Sequence, residues 1–352
     1  TGKTITTNGV AFGTVTLDGV GGAWTLGSAF SCGSNTLTLT NGTFDTSASN
    51  YSVTAGGFSS SNSNIRTINL NGSTLTLSGS ASWSMATSTN ATLNAGTSTI
   101  AISSTAAPLF SGGGLTYYDL SFTGTVASSR GINNANTFRN ITATGPSSGI
   151  SELVFDSNQT ITGTLTINGA NGNQRQFVRS DTSGTSRTLT CAAIAAMTDV
   201  DFRDITIAGA AGTLSGTRLG DCGGNSNITF DAGKTVYWNL TAGGNWNANG
   251  WAASSGASPA TTNHPLPQDT AIIENTGLTA GNTITINGAW NIGTLDASTR
   301  TNAMTLASST NTPTFYGNFT YGSGVTPTGT GTFTFNNRST KTLNSGGKTF
   351  TQ

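Results

Sequence analysis

One short phrase, returning along the chain, limits what this sequence can become: apolar residue, Thr or Ser, apolar residue, any residue, Gly. It reads Val15-Thr16-Leu17-Asp18-Gly19, then Leu75-Thr76-Leu77-Ser78-Gly79 and Leu120-Ser121-Phe122-Thr123-Gly124. It returns as Ile141-Thr142-Ala143-Thr144-Gly145, Leu165-Thr166-Ile167-Asn168-Gly169, Ile205-Thr206-Ile207-Ala208-Gly209 and Ile284-Thr285-Ile286-Asn287-Gly288, with a looser copy at Leu37-Thr38-Leu39 and Asn41-Gly42. Side chains alternate faces along a strand, so the two apolar residues share one face and the Thr takes the other. The glycine then suits a turn with positive φ. Such a strand is too short to bury anything alone, but stacked on its neighbours it adds two residues to a shared core.

Spacing turns the phrase into an architecture. The copies at 120, 141 and 165 lie one coil apart, and the copy at 205 lies two coils further on. With rungs stacked at about 4.8 Å, the 352 residues predict on the order of 17 rungs and about 80 Å of rod. The expected fold is all-β: an elongated parallel β-helix, or β-solenoid, made of two solenoid segments. Asn and Ser mark the turns between strands, as in Asn71-Gly72-Ser73. The one helix-like stretch, 191–197, is short and uncapped, and reads as a buried turn or strand entry.

Composition separates this reading from disorder. Charged residues make up only 8% of the chain and the formal net charge is zero, whereas disordered chains combine high net charge with few β-branched residues. The 14 Lys and Arg are scattered, so no basic patch suits nucleic acid. No run of about 18 apolar residues predicts a membrane span. Both ends read like cuts in a longer polypeptide or a processed product. The three cysteines, Cys32, Cys191 and Cys222, are too few and too scattered for a disulfide framework and read as buried, idle thiols, with a Cys191–Cys222 pair left open.

One segment breaks the pattern. Three of the six tryptophans, Trp238, Trp246 and Trp251, fall together, followed by Pro265 and Pro267. The division expected is a first solenoid over 1–236, a Trp/Pro-rich junction over 237–270, and a second solenoid over 271–352. The segment from Tyr237-Trp238 through Gly244-Asn245-Trp246 and Trp251 to Asp269 and Ile272-Ile273 resembles a Trp-rich junction of long repetitive bacterial surface proteins and of phage tail-fibre or tailspike proteins. The stretches Phe110–Phe122 and Phe230–Trp238 are similar to segments of the same Thr/Gly/Asn-rich β-helix proteins. That resemblance implies a right-handed parallel β-helix displayed outside a cell or on a virion, trimeric in many phages. It identifies no catalytic site.

Three constellations bear on function. Asp199, Asp201 and Asp204 form the one acidic cluster. With Val200 and Phe202 inward, Asp199 and Asp201 share the outward face, where paired carboxylates can run glycoside hydrolysis and Asp221 can join them. The competing reading is a solvated acidic face with Arg203 as counter-charge. Trp246 and Trp251, with Asn245 and Asn247, offer the aromatic-plus-amide chemistry that stacks and hydrogen-bonds sugars. The competing reading has these rings plugging a solenoid end. His264, the only histidine, sits in a Pro-rich loop without a nucleophile elbow, and one His with three scattered Cys makes no zinc site. No metal or cofactor is expected. The reading these residues support is a structural and adhesive solenoid of a virion fibre or cell surface, attached to a host glycan or receptor and self-associating as a trimer or filament. A self-assembling extracellular module and a polysaccharide-degrading spike are the alternatives.

Overall fold

Alternation decides each strand, and the stacking of alternating strands decides the fold. In the computed structural model, which describes residues 2–125 and 127–349, the chain is a parallel β-solenoid of two coils. The residues from Phe350 to Gln352, on which the reading of a severed end partly rests, lie outside that description, as does Thr1. The first coil has one ten-stranded sheet running from Val15–Leu17 to Gly220–Asp221, a second ten-stranded sheet, and a five-stranded third face. Leu75, Ile100, Leu120, Ile141 and Leu165 stack in consecutive rungs, 20 to 25 residues apart. They are at most 1% exposed, while Thr76, Ser121, Thr142 and Thr166 beside them face outward. Ten rungs make a stack of roughly 45 Å.

Inside the first coil the aromatic rings stack as the strands do. Phe58 lies 4.6 Å from Trp83, and Trp83 lies 6.1 Å from Phe110, stacked with nearly parallel planes. The Trp83 indole donates to the Tyr117 hydroxyl at 3.0 Å, which donates in turn to the Gly112 carbonyl at 2.8 Å. Both polar tips are thereby satisfied within an apolar core. Arg66 points inward as well, and all its hydrogen bonds go to uncharged oxygens, chiefly the carbonyls of Ser60, Asn64, Thr87 and Thr89. It staples one rung's turn to the next. Asparagine ladders run on the outside: Asn94 donates to Asn69 at 2.8 Å and Asn69 to Asp45 at 3.0 Å.

The glycine of the phrase serves a different purpose from the turn expected of it. Of its copies only Gly42 and Gly209 have positive φ. At Gly79, Gly124, Gly145 and Gly169 an added Cβ would lie 2.5 to 2.6 Å from backbone atoms of the adjoining rung. Close approach of stacked backbones, rather than turn geometry, excludes a side chain there. The copy at 205 also departs from expectation. It stacks on Arg187–Thr190, whereas Leu165 stacks on Ile194 of that same long strand, so the two copies lie on different parts of a bent sheet. The stretch 191–197 holds no helix: Arg187–Ile194 and Met197–Thr198 are strands.

The second coil has five parallel rungs on its longest sheet, from Thr235–Trp238 to Leu343–Asn344. Trp251–Ala252 pairs antiparallel with Tyr237 and Trp238, the one antiparallel strand pair among the described residues, and covers that sheet's first edge. The two coils have separate cores, one from Leu17 to Leu219 and one from Val236 to Val325. They do not continue as a single rod. Asn173 bonds to the Asn247 carbonyl, Phe177 packs with Tyr316, and Ser183 donates to Asn336. Residues 173, 177 and 183 advance along the strand Gln174–Ser180 and its flanking turns in the first coil, while 247, 316 and 336 climb rungs of the second. The second coil therefore stacks along the strand direction of the first and crosses it, so that the rungs, ten and five against on the order of 17 expected, form two stacks instead of one rod.

Candidate functional site

The acidic cluster lies where the coils cross. Val200 and Phe202 point into the first core, as the alternation requires, and Asp201 points outward. That outward face is covered by the second coil, so Asp199, Asp201 and Asp204 are only 5%, 1% and 1% exposed. This corrects the expectation of a solvated face. Asp199 and Asp204 bracket the strand Val200–Arg203 with left-handed φ of 61° and 57° and belong to its turns.

Each carboxylate is engaged by guanidinium groups. Arg175 is outward on the preceding rung and equally buried; its Nε and Nη2 donate to Asp201 Oδ1 at 2.9 and 2.6 Å, and its Nη1 to Asp199 at 3.3 Å. Arg218 Nε donates to Asp199 Oδ1 at 2.7 Å. Arg338 of the second coil bonds Asp204, and the Asn291 amide donates to Asp201 Oδ2 at 3.0 Å. A charge taken from water is tolerated only when paired and hydrogen-bonded in this way. The arrangement leaves no carboxylate pair open to a sugar, and Asp221 spends Oδ1 on the Gly223 amide and Asn225 at 2.8 Å each. The cluster is a joint.

Trp246 and Trp251 are 0% and 1% exposed, so neither ring presents a face to solvent. Trp251 stands edge-on to Trp238 and Trp246, with centroids 5.2 and 4.7 Å away, and its indole donates to the Trp246 carbonyl at 3.0 Å. Burial supports the plugging role. Asn245 is exposed, and Asn247 accepts from Asn287 at 2.7 Å, but neither stands beside an accessible Trp face. The three cysteines are buried and free, so Cys191 and Cys222 do not pair. Burial pushes the Cys191 thiol up to about 12, well away from nucleophilic thiolate.

His264 is packed into the same joint, 4.9 Å from the Trp290 ring and 4% exposed, with Nδ1 unpartnered. Burial, then the nearby charges of Arg175, Arg218 and Lys234, hold its pKa well below the ordinary 6.5. As the pH falls through 6.5 the unfolded chain takes up a proton that the folded chain refuses. Stability therefore drops by up to about 1.4 kcal/mol for each further pH unit, until the folded histidine takes up its own proton. Buried Asp269, whose pKa is raised, protonates first in the folded state and softens the loss at lower pH. Calorimetry at pH 7 and pH 5 should show a fall in Tm that shrinks in His264→Phe. An equal fall in both proteins would assign the acid sensitivity elsewhere. Because this is the chain's only histidine, the comparison is unambiguous.

A second place, which sequence reasoning missed, is a groove of about 430 Å³ on the outward face of the first coil. Four successive rungs line it, through Thr99, Asp119 with Ser121, Asn140 with Thr142, and Thr164 with Thr166. Arg139 closes one side, with its guanidinium 4.5 Å above the Tyr118 ring and 3.5 Å from Asp119. The repeated outward Thr was visible in the sequence, but the turn that brings Arg139 beside Asp119 was not. No helix of the described residues is long and apolar enough to cross a membrane, and no group of three or more His, Cys, Asp or Glu among them could hold a metal ion. No protein-family model, curated protein or solved structure matches this chain.

Proposed function

We propose that this chain is a structural and adhesive β-solenoid, carried outside a cell or on a virion, that attaches to a surface glycan. The observation that supports this most is how its charge is distributed. The buried carboxylates of Asp199, Asp201 and Asp204 are consumed in holding two coils together, and the outward face of the long coil is dominated by hydroxyl and amide groups, with several of its charges, such as Asp119 with Arg139 and Glu152 with Arg179, paired with one another. Such a body is stiff, poor in charge with a formal net charge of zero, and rich in groups that exchange hydrogen bonds with polyols. The test is retention of the purified chain on intact bacterial cells, before and after periodate oxidation of their glycans. Binding that is lost on oxidation supports attachment. Binding that survives oxidation transfers the partner role to a protein receptor, and no binding to any cell type removes the adhesive half of the proposal. Light scattering on the same preparation tests self-association, with a trimeric mass expected for a fibre.

A further inference from the structure

We infer that the groove between Thr99 and Thr166 is a binding site for a neutral polysaccharide chain, a conclusion that rests on the adhesive reading above. Its volume lies within the range of small-ligand sites. Its chemistry combines outward hydroxyls with an ordered carboxylate, amide and guanidinium. The hydroxyls of Thr99, Ser121, Thr142, Thr164 and Thr166 take part in no hydrogen bond among the described residues, so their donors and acceptors remain for a ligand. The carboxylate, amide and guanidinium of Asp119, Asn140 and Arg139 are planar groups, able to grip neighbouring sugar hydroxyls in pairs.

These planar groups are held in place beforehand. The Thr164 amide donates to Asn140 Oδ1 at 2.8 Å, Asn140 donates to Asp119 Oδ1 at 2.8 Å, and Asp119 meets Arg139, which lies over Tyr118. An extra residue between Ile161 and Leu165, relative to Phe138 and Ile141 on the preceding rung, accompanies the bond from that amide to Asn140. Gly163 sits in this stretch, where a Cβ would lie 2.5 Å from Asn140 Oδ1. Irregularities of this kind re-aim side chains beside binding sites, and prior ordering reduces the entropy lost on binding. The ligand's charge follows from the balance of Arg139 against Asp119, which favours neither anion nor cation. Its polymeric nature follows from the four rungs, which repeat hydroxyls at about 4.8 Å, a spacing that one sugar ring can bridge.

Affinity electrophoresis tests the site, with soluble mannan, dextran and galactan as neutral probes and alginate and polygalacturonate as acidic ones. The unmodified chain should be retarded by at least one neutral probe. Thr142→Trp, which fills the groove, and Arg139→Met, an exposed change that leaves the core intact, should each weaken retardation about tenfold. Thr38→Trp, outward on another sheet, should change nothing. Circular dichroism shows that each variant is folded. Undiminished retardation of both groove variants overturns the site and leaves the adhesive reading standing. Retardation by acidic probes alone overturns the neutral ligand. If cells bind the chain but no neutral polysaccharide does, the groove assignment fails without the adhesive reading. If neither binds, both fail.

Discussion

Arg175→Ala should destabilise the folded chain by about 3–5 kcal/mol, the usual consequence of leaving a buried charge without its partner. Among the described residues Arg175 is the one side chain that hydrogen-bonds both Asp199 and Asp201, and it also donates to the Arg218 carbonyl at 2.8 Å. Without it, Asp201 keeps, among the described residues, only the Asn291 amide as a side-chain hydrogen-bond partner, at 1% exposure. The damage falls on the contact between coils and leaves the apolar interior of each intact, because Arg175 points out of the first core. Calorimetry should therefore show one transition in the parent and two in the variant, as the coils unfold independently. A change below about 0.5 kcal/mol, typical of exposed pairs, would mean that water reaches the joint. Replacing Arg175 and Asp201 together by apolar residues of similar size should recover much of the loss, because Asp199 keeps Arg218 as its partner and buried ion pairs and packed hydrocarbon contribute comparably.

Trp251→Ala should destabilise the second coil by about 3–5 kcal/mol and leave the first coil nearly untouched. The indole contacts Trp238 and Trp246 edge-on, bonds the Trp246 carbonyl, and belongs to the short strand that covers the sheet edge at Tyr237 and Trp238. Truncation leaves a cavity among rigid rings and exposes a parallel edge to pairing. Tryptophan fluorescence should report early unfolding of the second coil, and light scattering should report association of the exposed edge. If glycan retention fell while the melting curve stayed unchanged, Trp251 would be a sugar contact after all.

The strands were legible because alternation is local. Whether Leu75 and Leu77 face inward depends on residues two apart and on the same pattern recurring in the adjoining rungs. The candidate site was less legible. Val200 and Phe202 fixed which way Asp201 points, but what Asp201 meets is Asn291, a residue 90 positions away on another coil. Nothing in the sequence around Asp201 distinguishes water from a docked coil as its neighbour. The groove is an intermediate case: its rows of Thr follow from the repeat, while the pairing of Arg139 with Asp119 needs two rungs brought into register.

The same division holds for the glycines and tryptophans. Sequence alone determined that glycine closes the phrase, and the tertiary structure decided that most of these positions are kept clear for a neighbouring backbone. Sequence alone gathered Trp238, Trp246 and Trp251, and packing decided that they fill a core. What this sequence determined by itself is the rung, because a strand's two faces are set by residues two apart. What only the tertiary structure decided is how the two coils cross, because that depends on side chains far apart in the chain meeting on faces that each coil, taken alone, would leave to water.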